Sequence, residues 1–375
     1  MGEGAKGFFV RPLPPPPKTH IPIPNDTMTK IKVAVIGASG YAGLELVRLL
    51  VRHPGCELVA LTSLEYPGRP FSQIFPALAG IVDLPFSQDP DPSMIAAQAE
   101  VVFTAIPHQT AMGIVPRFLA LGCRVVDLSA DFRFRDVSLY EKWYQAHTAP
   151  ELSTEAVYGL PELHREEVRR TRLVGNPGCY PTCVVLGLAP LAQAGLLEPH
   201  SVIADCKSGV SGAGRQALLG LSFCEVNDGF RAYKVLEHRH TPEMEQELSW
   251  LAGTPVTVTF TPHLVPMSRG ILGTLYGSLR EPRSEGDLRE LYRKFYQGHP
   301  FVRLHPPGSL PDTRDVRGSN FCDLALRVDR QGRRVIVFSA IDNLNKGAAG
   351  QALQNFNLMV GFPETMGLEA VPFVP

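Results

Sequence analysis

The stretch Ile31–Gly43, IKVAVIGASGYAG, decides the architecture. Its first six residues form a short apolar run rich in β-branched side chains, as a strand covered on both faces of a parallel sheet requires. Glycines follow at 37, 40 and 43, and then LELVRLLVRH carries apolar residues at helical spacing. Gly-x-x-Gly-x-x-Gly alone is a weak signal. Between a strand and a helix it predicts a dinucleotide cradle, because glycine allows a tight turn and lets backbone N–H groups approach a pyrophosphate at the helix N-terminus. Gly37, Ser39, Gly40, Tyr41, Ala42 and Gly43 are the candidate binding residues. The competing reading is a glycine-rich turn with no ligand.

Strand-like and helix-like segments alternate onward from this turn. CELVALTS (56–63), EVVFTAI (100–106) and CRVVDLS (123–129) read as strands, with helical TAMGIVPRFLALG between the last two. Such alternation predicts a right-handed, doubly wound sheet. After Gly175 the character changes. A helix is expected from about Thr182 to Gly195. SVIADCKSG, PVTVTFTPHLVP, GILGTLYGSL, FCDLALRV and RRVIVFSAI then read as strands, with a helix over SEGDLRELYRKFYQ. Strands in adjacent pairs predict a mixed or antiparallel sheet with helices on one face. A last helix, about Lys346 to Val360, is expected to pack back on the first unit. The expected division is 30–176 plus 344–375 for dinucleotide binding and 177–343 for a second domain. Residues 1–29, with RPLPPPPKTHIPIP, are too proline-dense for a helix or central strand and read as a disordered tail.

Composition narrows the function classes. The 375 residues are 44% hydrophobic and 19% charged, which fits a folded globular protein. A formal charge of -1 gives no global field for nucleic acid or an anionic membrane, and no apolar run reaches the length of a membrane span. The seven cysteines (56, 123, 179, 183, 206, 224 and 322) include no C-x-x-C. An odd number in a long chain argues for reduced thiols, with neither a disulfide framework nor a metal site. Together with the lack of a secretory or transit signal, this predicts a cytoplasmic protein.

The second strand ends LTSLEYPGR. An NAD-preferring site usually carries Asp or Glu at that strand end. Here Thr62 and Ser63 stand in its place and Arg69 follows, a set that suits the 2′-phosphate of NADP, with Glu65 as a counterweight. His108, after the next strand end, borders the cofactor or is an ordinary loop histidine.

The stretch Val174–Thr182, VGNPGCYPT, places Cys179 after Asn-Pro-Gly at the start of a helix. Thiolate is the reactive form of cysteine, and a helix N-terminus lowers the thiol pKa. Exposed N–H groups there can also hold an oxyanion. Cys179 is therefore the candidate nucleophile. Cys56, Cys123, Cys206, Cys224 and Cys322 sit among apolar neighbours and fit buried filler. Cys183 is either a resolving thiol or a core-facing helix residue, the latter favoured.

GNPGCYPT resembles the active-site signature of the N-acetyl-γ-glutamyl-phosphate reductases. The resemblance runs from Lys30 to about Leu368 through GASGYAG, DLSADFRF, YGLPEL, SGVSGAGR, HRHTPEMEQEL and AIDNLNKGAAGQALQNFNLMVGFPETMGL, in that order. Cys183 stands where Gly or Ala is expected. The resemblance implies an α/β protein with a Rossmann-type NADP-binding domain and an α+β catalytic and dimerisation domain of the semialdehyde dehydrogenase type. It implies NADPH-dependent reduction of a small acyl phosphate to an aldehyde through a thioester on Cys179, and a homotetramer. It assigns Arg133 to the substrate phosphate, against a structural pairing of Arg133 with Asp131 or Asp127. Of the two histidines in HRHTPEM it favours His240 as proton carrier, with His238 on the substrate side. Thr241 and Pro242 read as N-cap and first turn of the next helix. Ser208 and Gly209 begin a loop implied to close over the nicotinamide, and Asn343 is implied to meet its amide. Lys346 is either part of this site or a surface charge. Aspartyl phosphate and carrier-bound aminoadipyl phosphate are the alternative substrates.

Overall fold

The strand pattern resolves into two seven-stranded sheets in a computed structural model that describes residues 29–88 and 91–373. The proline-dense segment lies, up to residue 28, outside the described residues. The first sheet contains β1 (Ile31–Ile36), β2 (Cys56–Thr62), β3 (Phe86–Ser87), β4 (Val101–Thr104), β5 (Arg124–Asp127), β6 (Val157–Tyr158) and β7 (Leu173–Gly175). Its order is β3-β2-β1-β4-β5-β7-β6 and every pair is parallel. The apolar run in β1 feeds two separate cores, as alternation on a doubly covered strand demands. Val33 and Val35 pack with Leu46 and Val47 of the helix Tyr41–Leu50 and with Leu353 and Phe356 of the last helix, Gly350–Val360. Ala34 and Ile36 pack with Met112, Val115 and Phe118 of the helix Ala111–Ala120.

The second sheet contains β8 (Val202–Gly209), β9 (Arg231–Ala232), β10 (Val258–Val265), β11 (Ile271–Ser278), β12 (Val302–Leu304), β13 (Cys322–Val328) and β14 (Arg334–Ile341). Its order is β12-β13-β14-β11-β8-β10-β9, with β8–β10 and β12–β13 parallel and the other pairs antiparallel. One face packs on the helices Cys179–Gln193, Thr241–Ala252 and Glu285–Phe295, through Val184, Leu188, Leu248 and Tyr292. The other face is open, with Ile203 43% exposed. No helix among the described residues is long and apolar enough to cross a membrane.

The helix Cys179–Gln193 starts three residues earlier than the sequence suggests. Proline in a first turn sacrifices no hydrogen bond, so Pro181 does not delay the start. Every residue from Tyr180 to Ala192 is buried, since the helix lies between sheet and neighbouring helices. Only Asn176, Pro177 and Gly178 separate β7 from this helix, so the chain crosses between sheets at the cysteine. It crosses back after β14, through Asp342–Leu344 and a π-helical turn, Asn345–Ala349. Arg269, between β10 and β11, spans the two units. Its Nη2 donates to Glu45 Oε2 at 2.5 Å and its Nη1 to Asp342 Oδ2 at 3.1 Å.

Two expectations need correction. Lys346 is not a surface charge. It is 0% exposed, and its Nζ donates to Glu162 Oε1 and Gln354 Oε1, each at 2.7 Å. A buried ammonium needs such partners, and Glu162 is distant in sequence. Cys224 is exposed rather than buried filler, because its short helix Phe223–Val226 lies on the surface. Cys183 is core-facing, with its Sγ on the Ser339 carbonyl at 3.3 Å.

Candidate active site

The carboxyl ends of the parallel strands and the N-terminus of the Cys179 helix open onto one cleft of about 1400 Å³. The order of the first sheet reverses between β1 and β4, which is where open α/β sheets bind ligands. Gly37 has φ +83°, and a Cβ there would lie 2.6 Å from the Ala105 carbonyl oxygen. At Gly43 a Cβ would lie 2.5 Å from the Gly37 carbonyl oxygen. Both glycines are thus dictated by close backbone approach. Gly40 caps the helix Tyr41–Leu50 without a side-chain hydrogen bond, leaving the first-turn N–H groups for an anion. The Thr62 hydroxyl accepts from Gly37 N at 3.0 Å and braces the turn, while the Ser63 hydroxyl donates to Ser39 Oγ at 2.9 Å. This end of the cleft fits a dinucleotide.

At the other end Cys179 is half-buried, at the first position of its helix. The turn before it is held by Glu243, which is 0% exposed. Its Oε1 accepts from Gly178 N at 2.7 Å and from Tyr158 OH at 2.8 Å, and its Oε2 accepts from Arg133 Nη1 at 3.2 Å. Arg133 also donates Nε–H to the Asn176 carbonyl at 2.6 Å and Nη2–H to the Leu128 carbonyl at 2.8 Å. The carboxylate partner of Arg133 is therefore Glu243, not Asp131 or Asp127. Asp131 instead accepts from the N–H groups of Gln109 and Met112, and Asp127 from the hydroxyls of Thr104 and Ser129. Glu243 is not among the candidate residues named from the sequence. Its one local signal is a carboxylate three residues after His240.

His240 is the N-cap of the helix Thr241–Ala252, so the cap falls one residue before Thr241. Its ring lies against Gly178, where a Cβ would meet Nε2 at 2.5 Å. Its Nδ1 is buried without a hydrogen-bond partner among the described residues. His238 Nδ1 accepts from His240 N at 3.1 Å. Burial holds His240 well below its usual pKa, aided by His238 and Arg133. Burial brings His238 to about 4, with Lys234 and Arg239 adding to the effect. Both imidazoles are held neutral near pH 7, and the burial that keeps them neutral also makes them weaker bases than a free imidazole.

The thiol departs from expectation. Burial pushes Cys179 up to about 11, outweighing the N–H groups of Tyr180 and Cys179 and the Arg133 charge; Glu243 adds to the rise. The helix N-terminus alone therefore does not ionise it. Thiolate is the reactive form, so a raised pKa leaves little of it at neutral pH and more as pH rises. Alkylation of the ligand-free protein by iodoacetamide at Cys179 should accelerate roughly tenfold per pH unit between about pH 7 and 10. A plateau already reached at pH 7, read by peptide mass analysis, would contradict this.

Cys179, Arg133, His238, His240, Ser208, Asn343, Ser63, Ser39 and the glycine turn from Gly37 to Gly43 all border the one cleft, as does His108. Two predicted residues do not. Arg69 is exposed, its guanidinium 5.8 Å from the Tyr66 ring centre on the surface. Arg215, not among the candidates named from the sequence, reaches the cleft from the second unit: Nη1 donates to the Ser39 carbonyl at 3.2 Å and the guanidinium lies over Tyr66 and Phe75. Gly209 turns away, packed so closely on Met267–Arg269 that a Cβ would lie 2.8 Å from Arg269 N. Asn343 Nδ2 donates to Ser211 Oγ and its Oδ1 accepts from Gly270 N, which anchors the glycine-rich loop.

Comparison with known proteins gives concordant matches. The semialdehyde dehydrogenase NAD binding domain matches residues 32–171, and the semialdehyde dehydrogenase dimerisation domain matches residues 179–343. An N-acetyl-gamma-glutamyl-phosphate reductase of Geobacter metallireducens is 58% identical over 346 residues, covering 92% of this chain and 100% of the relative. The Syntrophobacter fumaroxidans protein of that name is 56% identical over 345 residues, with the same coverage. Among solved structures, aspartate semialdehyde dehydrogenase II of Vibrio cholerae complexed with ASA has a TM-score of 0.67 at 17% identity, covering 89% of this chain and 99% of that one. Aspartate semialdehyde dehydrogenase with NADP from Candida albicans has a TM-score of 0.66 at 18% identity, covering 88% and 99%. At such identities these two speak for the fold.

Proposed function

The chain belongs to the N-acetyl-gamma-glutamyl-phosphate reductase family of semialdehyde dehydrogenases, and on that premise we propose that it reduces N-acetyl-L-glutamyl 5-phosphate to N-acetyl-L-glutamate 5-semialdehyde and phosphate with NADPH, as a step of arginine biosynthesis. The observation that carries this reading is the meeting of a helix-terminal cysteine, a neutral histidine and a dinucleotide cradle in one cleft.

In the proposed mechanism the Cys179 sulfur attacks the acyl carbon as its proton passes to His240. This is how a protonated thiol gains nucleophilicity beside a base. Helix-terminal N–H groups receive the negative charge on the carbonyl oxygen. Phosphate leaves as the C–O bond breaks and the thioester forms. Arg133 stands on this side of the site, its guanidinium oriented by Glu243 and two carbonyls, and attracts the leaving phosphate. When bound, the dinucleotide supplies the hydride that reduces the thioester. Cys179 then recovers its proton from His240 as the aldehyde departs. We assign the dinucleotide to the Gly37–Gly43 turn and the 2′-phosphate to Ser39, Ser63 and Arg215. His238 supports the substrate side of His240.

We further propose a cytoplasmic homotetramer. The dimerisation-domain match and the open face of the second sheet support assembly, and seven free cysteines support a reducing compartment. Incubation with NADP, phosphate and either N-acetylglutamate semialdehyde or aspartate semialdehyde tests the substrate assignment through absorbance of the reduced nicotinamide. Turnover is expected with the acetylated aldehyde. A preference for aspartate semialdehyde would refute it.

A further inference from the structure

Among the described residues four Lys and Arg side chains border the cleft: Arg133, Arg215, Lys234 and Arg239. The first is matched by Glu243 and the second is engaged at the dinucleotide end. Lys234 and Arg239 form no ion pair with a carboxylate among the described residues. Arg239 is half-buried beside the histidines, with its guanidinium carbon 5.0 Å from the Tyr144 ring centre. That stacking holds a planar fork at the cleft wall. Lys234 has φ +44°, a left-handed conformation that only glycine adopts freely. Strain of this kind persists where surrounding structure imposes it, and it collects at binding sites.

We propose that Arg239 and Lys234 form a carboxylate subsite that receives the substrate's α-carboxylate and so sets the register of the acyl group on Cys179. The inference rests on the reading of the site given above. The substrate carries two anionic groups. The phosphate is bonded to the reacting carbon and must lie near the sulfur, whereas the carboxylate lies at the far end of a three-carbon spacer. The cations differ in what already holds them. Arg133 is the one whose charge reaches the Cys179 thiol, and it is paired with Glu243. Lys234 and Arg239 act on His238, and Arg239 together with Arg133 acts on His240, whose ring lies 4.8 Å from that of His238. Two cations beside the histidine pair with no carboxylate partner among the described residues therefore match a second anion besides the one at Arg133.

The test compares N-acetylglutamate semialdehyde with its decarboxylated analogue, 4-acetamidobutanal, at saturating NADP and phosphate. The wild type is expected to prefer the carboxylated aldehyde in kcat/KM by about 100-fold, the scale of a charge-assisted, forked carboxylate contact. Arg239→Met should reduce that preference by about 10- to 100-fold, mostly through KM, and Arg239→Lys should retain part of it. Lys234→Met, at an exposed residue that does not endanger folding, should reduce it roughly fivefold. The KM for phosphate should change less than about twofold in each variant. A parallel fall with both aldehydes would make Arg239 merely structural and overturn the subsite. A rise in phosphate KM instead would reassign these cations to the phosphate and overturn it also. Absence of wild-type turnover with either aldehyde would refute the reading of the site, and the subsite with it.

Discussion

Cys179→Ala is expected to lower acyl-phosphate reduction by at least about 10⁴-fold while the affinity for NADPH changes less than about twofold. The substitution removes one sulfur and keeps the Cβ, which packs so close to Gly347 that a Cβ at residue 347 would lie 2.8 Å away. The turn before it stays pinned by the Gly178 N–H on Glu243. Nothing at the Gly37–Gly43 end is disturbed, so the two readouts should separate. Steady-state rates, a fluorescence titration with NADPH and intact-mass detection of an acylated wild-type protein would measure them. Residual activity above about a tenth of wild type would exclude a thioester route, because no other side chain could replace the sulfur at that level.

The second large effect is at Glu243. Glu243→Gln keeps the shape but removes the charge matched to the buried Arg133, which is 4% exposed. Losing one partner of a buried ion pair typically costs about 3–5 kcal/mol, because the remaining charge stays out of water. The amide can still accept from Gly178 N or Tyr158 OH, but its NH₂ then confronts the guanidinium. A drop in melting temperature of about 4–6 °C is expected, with loss of most activity. The double variant Glu243→Gln with Arg133→Met should recover stability and not activity, since it removes the orphaned charge together with the proposed phosphate partner. Thermal denaturation and rates across the cycle decide this. A single-variant loss below about 1 kcal/mol would mean that Arg133 is solvated through the cleft.

Local sequence carried much of the fold. In Ile31–Ile36 the period of two, together with apolar residues at both parities, announced a strand between two cores, and Gly37 and Gly43 stand where backbone contact excludes a Cβ. VGNPGCYPT likewise located the helix-terminal cysteine from neighbours alone. Contacts between distant residues were not legible. Glu243 reaches Arg133 across 110 positions, and Arg215 reaches Ser39 across 176. Arg69 lies close in sequence to the cleft wall, yet it faces solvent, and the arginine that borders the cleft there is Arg215 from the other unit. The thiol was misjudged for a related reason. The helix N-terminus is local and visible, whereas the burial that outweighs it is made by the walls of the whole cleft.

The two chain crossings have a mechanical consequence. Residues 176–178 carry the chain out of the first sheet and residues 342–344 carry it back, and Gly347 beyond the return lies against Cys179. The nucleophile is thus tied by covalent chain to both sheets, and the Arg215–Ser39 and Glu45–Arg269–Asp342 contacts join the same two units elsewhere. Any displacement of one unit against the other is therefore most constrained at the sulfur, whose place is set by backbone.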